Sequence, residues 1–290
     1  MRILVIGANG MLGHVVKLYF EEKGYEVYST SRRKDAQCYF DAERDIKGIE
    51  AILENVKPDA VINCIGVLNK DAEENKRRAV LINSYLPHYL DSLQEKYGFK
   101  FVHISTDCVF EGTKGDYDER AYQDATSFYG RSKALGEVVN DKSVTLRTSI
   151  VGPDNNENGI GLFKWFINQT DAVGGYSKVI WTGVTTIELA KAIEKAIINN
   201  LTGLHHVVNN DTICKKDLLE LFKKIFHKNI VITDNSSVES KKTLVRTDNS
   251  FDFGVPDYPT MIEEMKAWVI AHEELYKNIF ENCELEGKHL

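Results

Sequence analysis

The chain has little that would hold it in a membrane, cross-link it or bind it to nucleic acid. Its apolar runs fall short of the ~20 residues that a helix needs to cross a bilayer, so no membrane association is expected. Its five cysteines, Cys38, Cys64, Cys108, Cys214 and Cys283, form an odd set without a CxxC pair. Neither a disulfide framework nor a zinc site is expected from them, and no metal is assigned. Basic charge is also scarce, with 36 Lys and Arg against 43 Asp and Glu and a net charge of −7. The pairs Arg32-Arg33 and Arg77-Arg78 are too scattered to form a stripe along a phosphate backbone, so no nucleic-acid partner is expected. Internal repeats and low-complexity tracts are absent. What remains is an ordinary globular composition, 43% apolar and 27% charged, read as a cytoplasmic protein with reduced thiols. The opening Met1-Arg2-Ile3-Leu4-Val5-Ile6-Gly7 looks like a signal peptide only at first sight. Its apolar run is short and ends in a glycine loop, so it reads as a buried first strand.

The rest of the first half alternates strand-like and helical patterns. Strands are expected at Ile3–Ile6, Tyr25–Ser29, Ala60–Cys64, Lys100–Ile104 and Val144–Arg147. Between them lie a helix opening at the glycine loop, an amphipathic Ile46–Val56, a helix over about Glu74–Tyr97, and one carrying Tyr129 to about Asn140. Strands separated by helices imply an α/β fold, a doubly wound parallel sheet, with ligands gathered beyond the carboxyl ends of the strands. At 290 residues the chain suits one large domain with a smaller one appended. The polar loop Pro153–Gly159 sets the expected boundary: a dinucleotide-binding domain over 1–152 and a smaller, mainly substrate-binding α/β domain over 153–290, with some segments returning to the main sheet. In that second part helices are expected at Leu162–Gln169, Thr182–Asn199, Lys216–Phe226 and Glu263–Ile279, and a strand at Leu204–Val208. The polar stretch Asp234–Asp257 folds either onto the substrate site or over the surface, and the last ten or so residues are expected to fray.

Three motifs carry chemistry. Gly7-Ala8-Asn9-Gly10-Met11-Leu12-Gly13 follows a strand and opens a helix, the context in which glycines serve a nucleotide rather than a turn alone. Gly7 permits the turn, Gly10 lets a pyrophosphate approach the backbone, and Gly13 lets the helix pack closely, with the anion meeting the helix N-terminus. After the second strand the chain reads Ser29-Thr30-Ser31-Arg32-Arg33, with no carboxylate before Asp35. Hydroxyls and forked guanidiniums suit a 2′-phosphate, so NADPH is the expected cofactor and NADH the alternative; two solvated arginines are the bland reading. Third, Tyr129 and Lys133 stand four residues apart on one helical face. There an ammonium can lower a phenol from its reference pKa of about 10 and ready it to deliver a proton. A lone YxxxK arises often on solvated helices; its pairing with the glycine loop and with Ser105-Thr106 upstream makes it a hydride-transfer site.

Ser105 and Thr106 end a strand, where a hydroxyl can orient a substrate carbonyl towards Tyr129, although hydroxyl residues also form ordinary turns. Asp107 is equally a turn residue or a polar substrate contact. Cys108 has no evident histidine partner for covalent catalysis, and His205-His206 lacks metal-ligand spacing, so that pair is read as packing or facing solvent.

These residues together resemble a known family. The chain is similar to extended short-chain dehydrogenase/reductases of the dTDP-4-dehydrorhamnose reductase type over most of its length. The resemblance rests on Gly7–Gly13, Asp41-Ala42, Asn63–Val67, Asn83 with Leu86, Ser105–Gly112, Asp124-Ala125-Thr126, Tyr129–Lys133, Gly136-Glu137 and Leu146–Ser149. It implies a Rossmann domain with Thr106, Tyr129 and Lys133 as catalytic residues. The implied cofactor contacts are Gly7, Asn9, Gly10, Met11, Leu12, Gly13, Ser31, Arg32, Arg33, Asp41, Ala42, Cys64, Ile65, Gly66 and Val67, with Tyr129 and Lys133. Ser105, Thr106, Asp107 and Ile150 would touch the substrate, a nucleotide sugar. The implied reaction is NADPH-dependent reduction of a C4 ketone in a nucleotide-linked 4-keto-6-deoxyhexose for bacterial surface polysaccharide. A homodimer is compatible with it.

The sequence departs from this pattern at Cys108, where the rhamnose enzymes usually carry Tyr, and after Thr148, where Ser-Ile-Val-Gly-Pro replaces Ser-Trp-Val-Tyr. Trp181–Thr186 also fits a sister branch resembling reductases of UDP-linked 2-acetamido-2,6-dideoxy-hexos-4-uloses. An epimerase or dehydratase and a non-catalytic NADP-binding regulatory subunit are the remaining alternatives. Thr106-Asp107-Cys108 lacks the Asp-Glu pair that dehydratases use, and an intact Thr106/Tyr129/Lys133 set weighs against a regulatory subunit.

Overall fold

A computed structural model describes residues 1–33, 36–156 and 159–285. The first half runs β1 (Arg2–Ile6), α1 (Met11–Glu22), β2 (Glu26–Ser31), β3 (Cys38–Tyr39), α2 (Gly48–Val56), β4 (Ala60–Asn63), α3 (Asn69–Glu74) and α4 (Lys76–Ala79). A π-helical segment, Val80–Tyr85, joins α4 to α5 (Leu86–Tyr97), and β5 (Lys100–Thr106), α6 (Phe128–Ala134) and β6 (Val144–Thr148) follow. The second half contains β7 (Ile150–Val151), α7 (Leu162–Ile167), β8 (Ala172–Trp181), β9 (Val184–Thr185), α8 (Thr186–Ile198) and β10 (Gly203–His206). It ends with β11 (Ile213–Cys214), α9 (Lys215–Ile225), β12 (Val231–Lys241), α10 (Tyr258–Ala271) and α11 (Lys277–Asn282).

Seven strands form one sheet in the order β3-β2-β1-β4-β5-β6-β10, and every neighbouring pair is parallel. Alternation along each strand sends side chains to both faces. Ile3, Val5, Ile62 and Val102 join α1 and α8 in one core, while Leu4, Ile6, Val61 and Phe101 join α2 and α5 in another. Such double burial explains the unbroken apolar runs of these strands. The strand order reverses between β1 and β4, and this switch point opens a crevice beyond their carboxyl ends. The strand β10 returns to pair with β6, whereas β11-β8-β12 and β7-β9 are separate small sheets.

Several sequence expectations change, among them the helix expected at Thr182–Asn199, which starts only at Thr186, after the short strand β9. The Tyr129 helix stops at Ala134 instead of Asn140, because the chain turns at Leu135-Gly136 and carries Glu137 inward to the buried Arg147. Strands β8 and β12 were not expected; their eight paired positions come from segments distant in sequence, and most β12 side chains are exposed. The helix expected at Glu263–Ile279 starts at Tyr258, where Asp257 accepts the Thr260 N–H at 2.9 Å, and ends at Ala271. There His272 takes φ −122° and its ring reaches Glu22 at 2.7 Å. Finally, Ile279 and Cys283 are buried, so the terminal segment packs as far as they reach. Asp35, Glu157, Asn158 and residues 286–290, on which other expectations fell, lie outside the described residues.

Candidate active site

A cavity of about 870 Å³ occupies the switch point. Gly7, Asn9, Gly10, Ser31, Arg32, Arg33, Asp41, Ala42, Cys64, Ile65, Gly66 and Val67 line it. Met11, Leu12 and Gly13 instead form the first turn of α1, with Leu12 buried in the core. The turn is close-packed: Gly7 has φ 86°, and a Cβ at Gly13 would stand 2.2 Å from the Gly7 carbonyl oxygen. Polar bonds tie this loop to the end of β2. The Gly7 N–H donates to Thr30 Oγ1 at 3.3 Å, and Asn9 Nδ2 donates to Ser31 Oγ at 2.7 Å. Gly10, the residue before α1, thus brings the helix N-terminus to the cavity, a position suited to a phosphate.

Thr30 also lines the cavity, and sequence reasoning missed Phe40, Glu43, Arg78, Ile82, Asn155 and Asn156, which do so too. Arg78 pairs with Asp71 at 2.9 Å and Glu43 at 3.2 Å, linking helix and loop across the cavity wall. Asn83, in the π-helical segment, bonds both backbone groups of Val67 at 2.8 Å and reaches Ser132 Oγ at 3.0 Å. One amide thus fixes the loop after β4 to α6; the π-helical turn that presents it has no local sequence signature.

Thr106 closes β5. Its Oγ1 accepts the Cys108 N–H at 3.2 Å and donates to Asp107 at 3.1 Å. Tyr129 sits in the first turn of α6, which Ser127 caps by accepting the Gly130 N–H at 3.1 Å. A Cβ at Gly130 would lie 2.1 Å from the Cys108 carbonyl, so glycine there lets α6 seat against the turn carrying Thr106. Burial pushes the Tyr129 phenol above its ordinary range, Cys108 and Asp107 add to this, and the Thr106 hydroxyl opposes it.

Lys133 makes its hydrogen bonds on the β5 side. Its Nζ donates to the Ile104 carbonyl at 2.7 Å and lies 3.3 Å from His103 Nε2. It is turned towards β5. Burial lowers Lys133 itself to about 8. Neither Tyr129 nor Lys133 lines the main cavity.

Ser105 does not join Thr106. Neighbouring strand residues face opposite ways, and the Ser105 hydroxyl donates at 2.6 Å to Glu137, within a buried Arg147–Glu137 pair. Ile150 is half-buried and packs on the core. Asp107 is buried, and desolvation raises its pKa against the pull of Lys215, Lys242 and hydrogen bonds from Thr106 and Ser149. Lys215, at the start of α9, holds its ammonium 4.4 Å from the Trp181 ring centre, and burial lowers it to about 8. Lys215 and the half-buried Lys242 come from 109 or more residues beyond Thr106 in sequence, and no local pattern marked them. Burial raises the Cys108 thiol to about 12, which makes it a poor nucleophile at neutral pH. His205 and His206 are both buried, the latter accepting from Arg147 at 2.9 Å.

The family model described as RmlD substrate binding domain matches residues 1–248. The chain is 29% identical over 216 residues to the spore coat polysaccharide biosynthesis protein SpsK of Bacillus subtilis, covering 72% of this chain and 74% of that protein. It is 28% identical over 221 residues to a dTDP-4-dehydrorhamnose reductase of Aggregatibacter actinomycetemcomitans, covering 71% and 72% of the two chains. Among solved structures, a dTDP-4-dehydrorhamnose reductase from Bacillus anthracis in complex with NADP has the same fold, with a TM-score of 0.76 and 22% identity over 92% of this chain and 99% of that one.

Proposed function

The chain belongs to the RmlD substrate binding domain family, and from that premise we propose that it reduces the C4 ketone of a nucleotide-activated 4-keto-6-deoxyhexose with NADPH. The observation that carries this reading is the seating of Tyr129 against the Thr106 turn by Gly130, above Lys133 and beside a dinucleotide-sized cavity. The cavity residues fit the cofactor. The glycine turn and the start of α1 would hold the pyrophosphate, Ser31, Arg32 and Arg33 the 2′-phosphate, and Cys64–Val67 the nicotinamide end. When bound, NADPH supplies the hydride.

The protein's own residues supply the proton and the orientation. Turned from Asp107, to which it donates in the free protein, the Thr106 hydroxyl would donate to the ketone oxygen and so favour the negative charge that develops there. Tyr129 O–H then delivers its proton to the alkoxide. A raised phenol pKa suits this role, because the group stays protonated until a strong base, the alkoxide, forms beside it. Asp107, Lys215 and Lys242 would contact the nucleotide sugar. The relatives in polysaccharide biosynthesis support this substrate class.

Cys108 favours a second reading, a 4-reductase of a UDP-linked 2-acetamido-2,6-dideoxy-hexos-4-ulose. The small thiol stands where the rhamnose enzymes carry Tyr, and it offers more room to a bulky C2 group. Screening dTDP-, UDP-, GDP- and CDP-linked 4-keto-6-deoxy sugars for stoichiometric NADPH oxidation, with the product's stereochemistry determined, tests both. Turnover of a 2-acetamido sugar alone would replace the first reading by the second. Epimerisation without net NADPH consumption, or cofactor binding without any turnover, would overturn both.

A further inference from the structure

Beneath the catalytic pair the protein buries three polar side chains, Asn63, His103 and Lys133, at 1%, 0% and 4% exposure. Asn63 and His103 are register partners on β4 and β5, on the face that Val61 and Phe101 fill with apolar groups two residues earlier. A histidine removed from water in this way needs partners for both ring nitrogens. His103 Nδ1 lies 3.3 Å from Asn63 Nδ2, and Nε2 lies 3.3 Å from Lys133 Nζ.

The asparagine decides which nitrogen carries the proton. Its Oδ1 accepts the Ile65 N–H at 3.3 Å, which directs its NH₂ to His103. Nδ1 must then present its lone pair, so the neutral ring carries its proton on Nε2. Burial, with Lys133 and His88 nearby, holds His103 well below the usual imidazole range, so it takes no second proton near neutral pH. The Nε2–H therefore points at Lys133 Nζ. An ammonium has donors only, and it would set N–H against N–H; the neutral amine has a lone pair to accept with, while it still donates to Ile104.

We propose that His103 is a positioning residue acting through Lys133: in the tautomer that Asn63 selects, it disfavours the ammonium and aims the amine at β5. The proposal rests on the proposed ketone reduction, with Lys133 as Tyr129's partner as the sequence resemblance implies. Charging Lys133 then requires the Asn63 amide to turn over and the ring proton to sit on Nδ1, so that Nε2 accepts from the ammonium. The surrounding titratable groups are Cys64 after β4, Glu137 after α6, His88 on α5 and Tyr129 on α6. Cys64 and Glu137 favour the charged lysine, and burial outweighs them to leave it at about 8.

Nitrogen-15 NMR of the free protein tests the tautomer directly, with His103 assigned by backbone connectivity. The expected result is a protonated Nε2 and a bare Nδ1 at about pH 9.5, where Lys133 has lost its proton; a protonated Nδ1 there would overturn the proposal. The variant His103→Gln offers Lys133 a carbonyl oxygen. Its Lys133 titration, followed at the ε-carbon, should move up by about one pH unit, with the basic limb of the kcat/KM profile following it. A folded variant whose lysine titrates as in the parent would reduce His103 to a space-filling role. Both NMR measurements use the cofactor-free protein, so they stand even if no nucleotide sugar is reduced. Conversely, normal turnover with an Nδ1–H tautomer would remove this proposal and leave the proposed reaction intact.

Discussion

Glu137→Gln should be the most informative single substitution for stability, because it removes one charge from a pair that has no access to water. The side chains of Arg147 and Glu137 are 2% and 3% exposed, and the guanidinium meets the carboxylate at two points, Nε to Oε1 at 2.8 Å and Nη2 to Oε2 at 2.6 Å. Ser105 Oγ donates to Oε1 at 2.6 Å, and Gln123 Nε2 donates to Oε2. All four bonds run towards the carboxylate. Glutamine keeps the shape but turns one oxygen into an NH₂, so donors face a donor whichever way the amide lies. Neutralising one partner of a buried pair costs about 3–5 kcal/mol, mostly through the charge left unpaired. For a chain of this size that corresponds to a fall in Tm of roughly 6–20 °C, at about 2–4 °C per kcal/mol. Urea denaturation of the cofactor-free protein, with Tm by calorimetry, measures it. The Glu137→Leu, Arg147→Met double variant should recover most of the loss, since an apolar pair leaves no buried charge. Activity should fall in Glu137→Gln even where it is folded, because Ser105 anchors the end of β5 that presents Thr106. A loss below about 1 kcal/mol, the range of exposed ion pairs, would refute the reasoning.

Three further predictions concern the site. Tyr129→Phe should lower kcat by about 10² or more while leaving NADPH affinity nearly unchanged, and turnover within a few-fold of the parent would remove Tyr129 from the mechanism. Replacing Arg32 and Arg33 together by Ala should cut the preference for NADPH over NADH by at least about tenfold in kcat/KM, as loss of a charge-assisted bond worth 1.4 kcal/mol or more implies. Equal losses for the two cofactors would make the arginines loop supports. Gly13→Ala places a methyl 2.2 Å from the Gly7 carbonyl oxygen, so α1 must shift away from the loop. Weaker NADPH binding by titration and a stability loss of about 1–3 kcal/mol are expected, and unchanged binding would show that the loop tolerates the displacement.

Local chemistry made the doubly wound sheet, the glycine loop and the Tyr129 helix legible in the sequence. Strand Ile3–Ile6 is apolar at every position because both faces of a parallel sheet are covered, and Gly7–Gly13 must be glycine-rich because backbone meets backbone there. Such constraints act over a few residues and leave a readable mark. The direction of individual side chains was not readable in this way. Ser105 and Thr106 look equivalent as a dipeptide, and only the sheet sends one to Glu137 and leaves the other at the site. The exposed polar strand β12 carries no alternation because its partner β8, not a core, holds it in place. Lys133 bonds to Ile104 and meets His103 on β5, and Lys215 and Lys242 act on Asp107 from much later in the chain. Periodicity and turn chemistry are set by neighbours in sequence, so the sequence by itself determined the elements and the loop. Partners and pKa values depend on which distant groups share a buried space, and only the tertiary structure decided those.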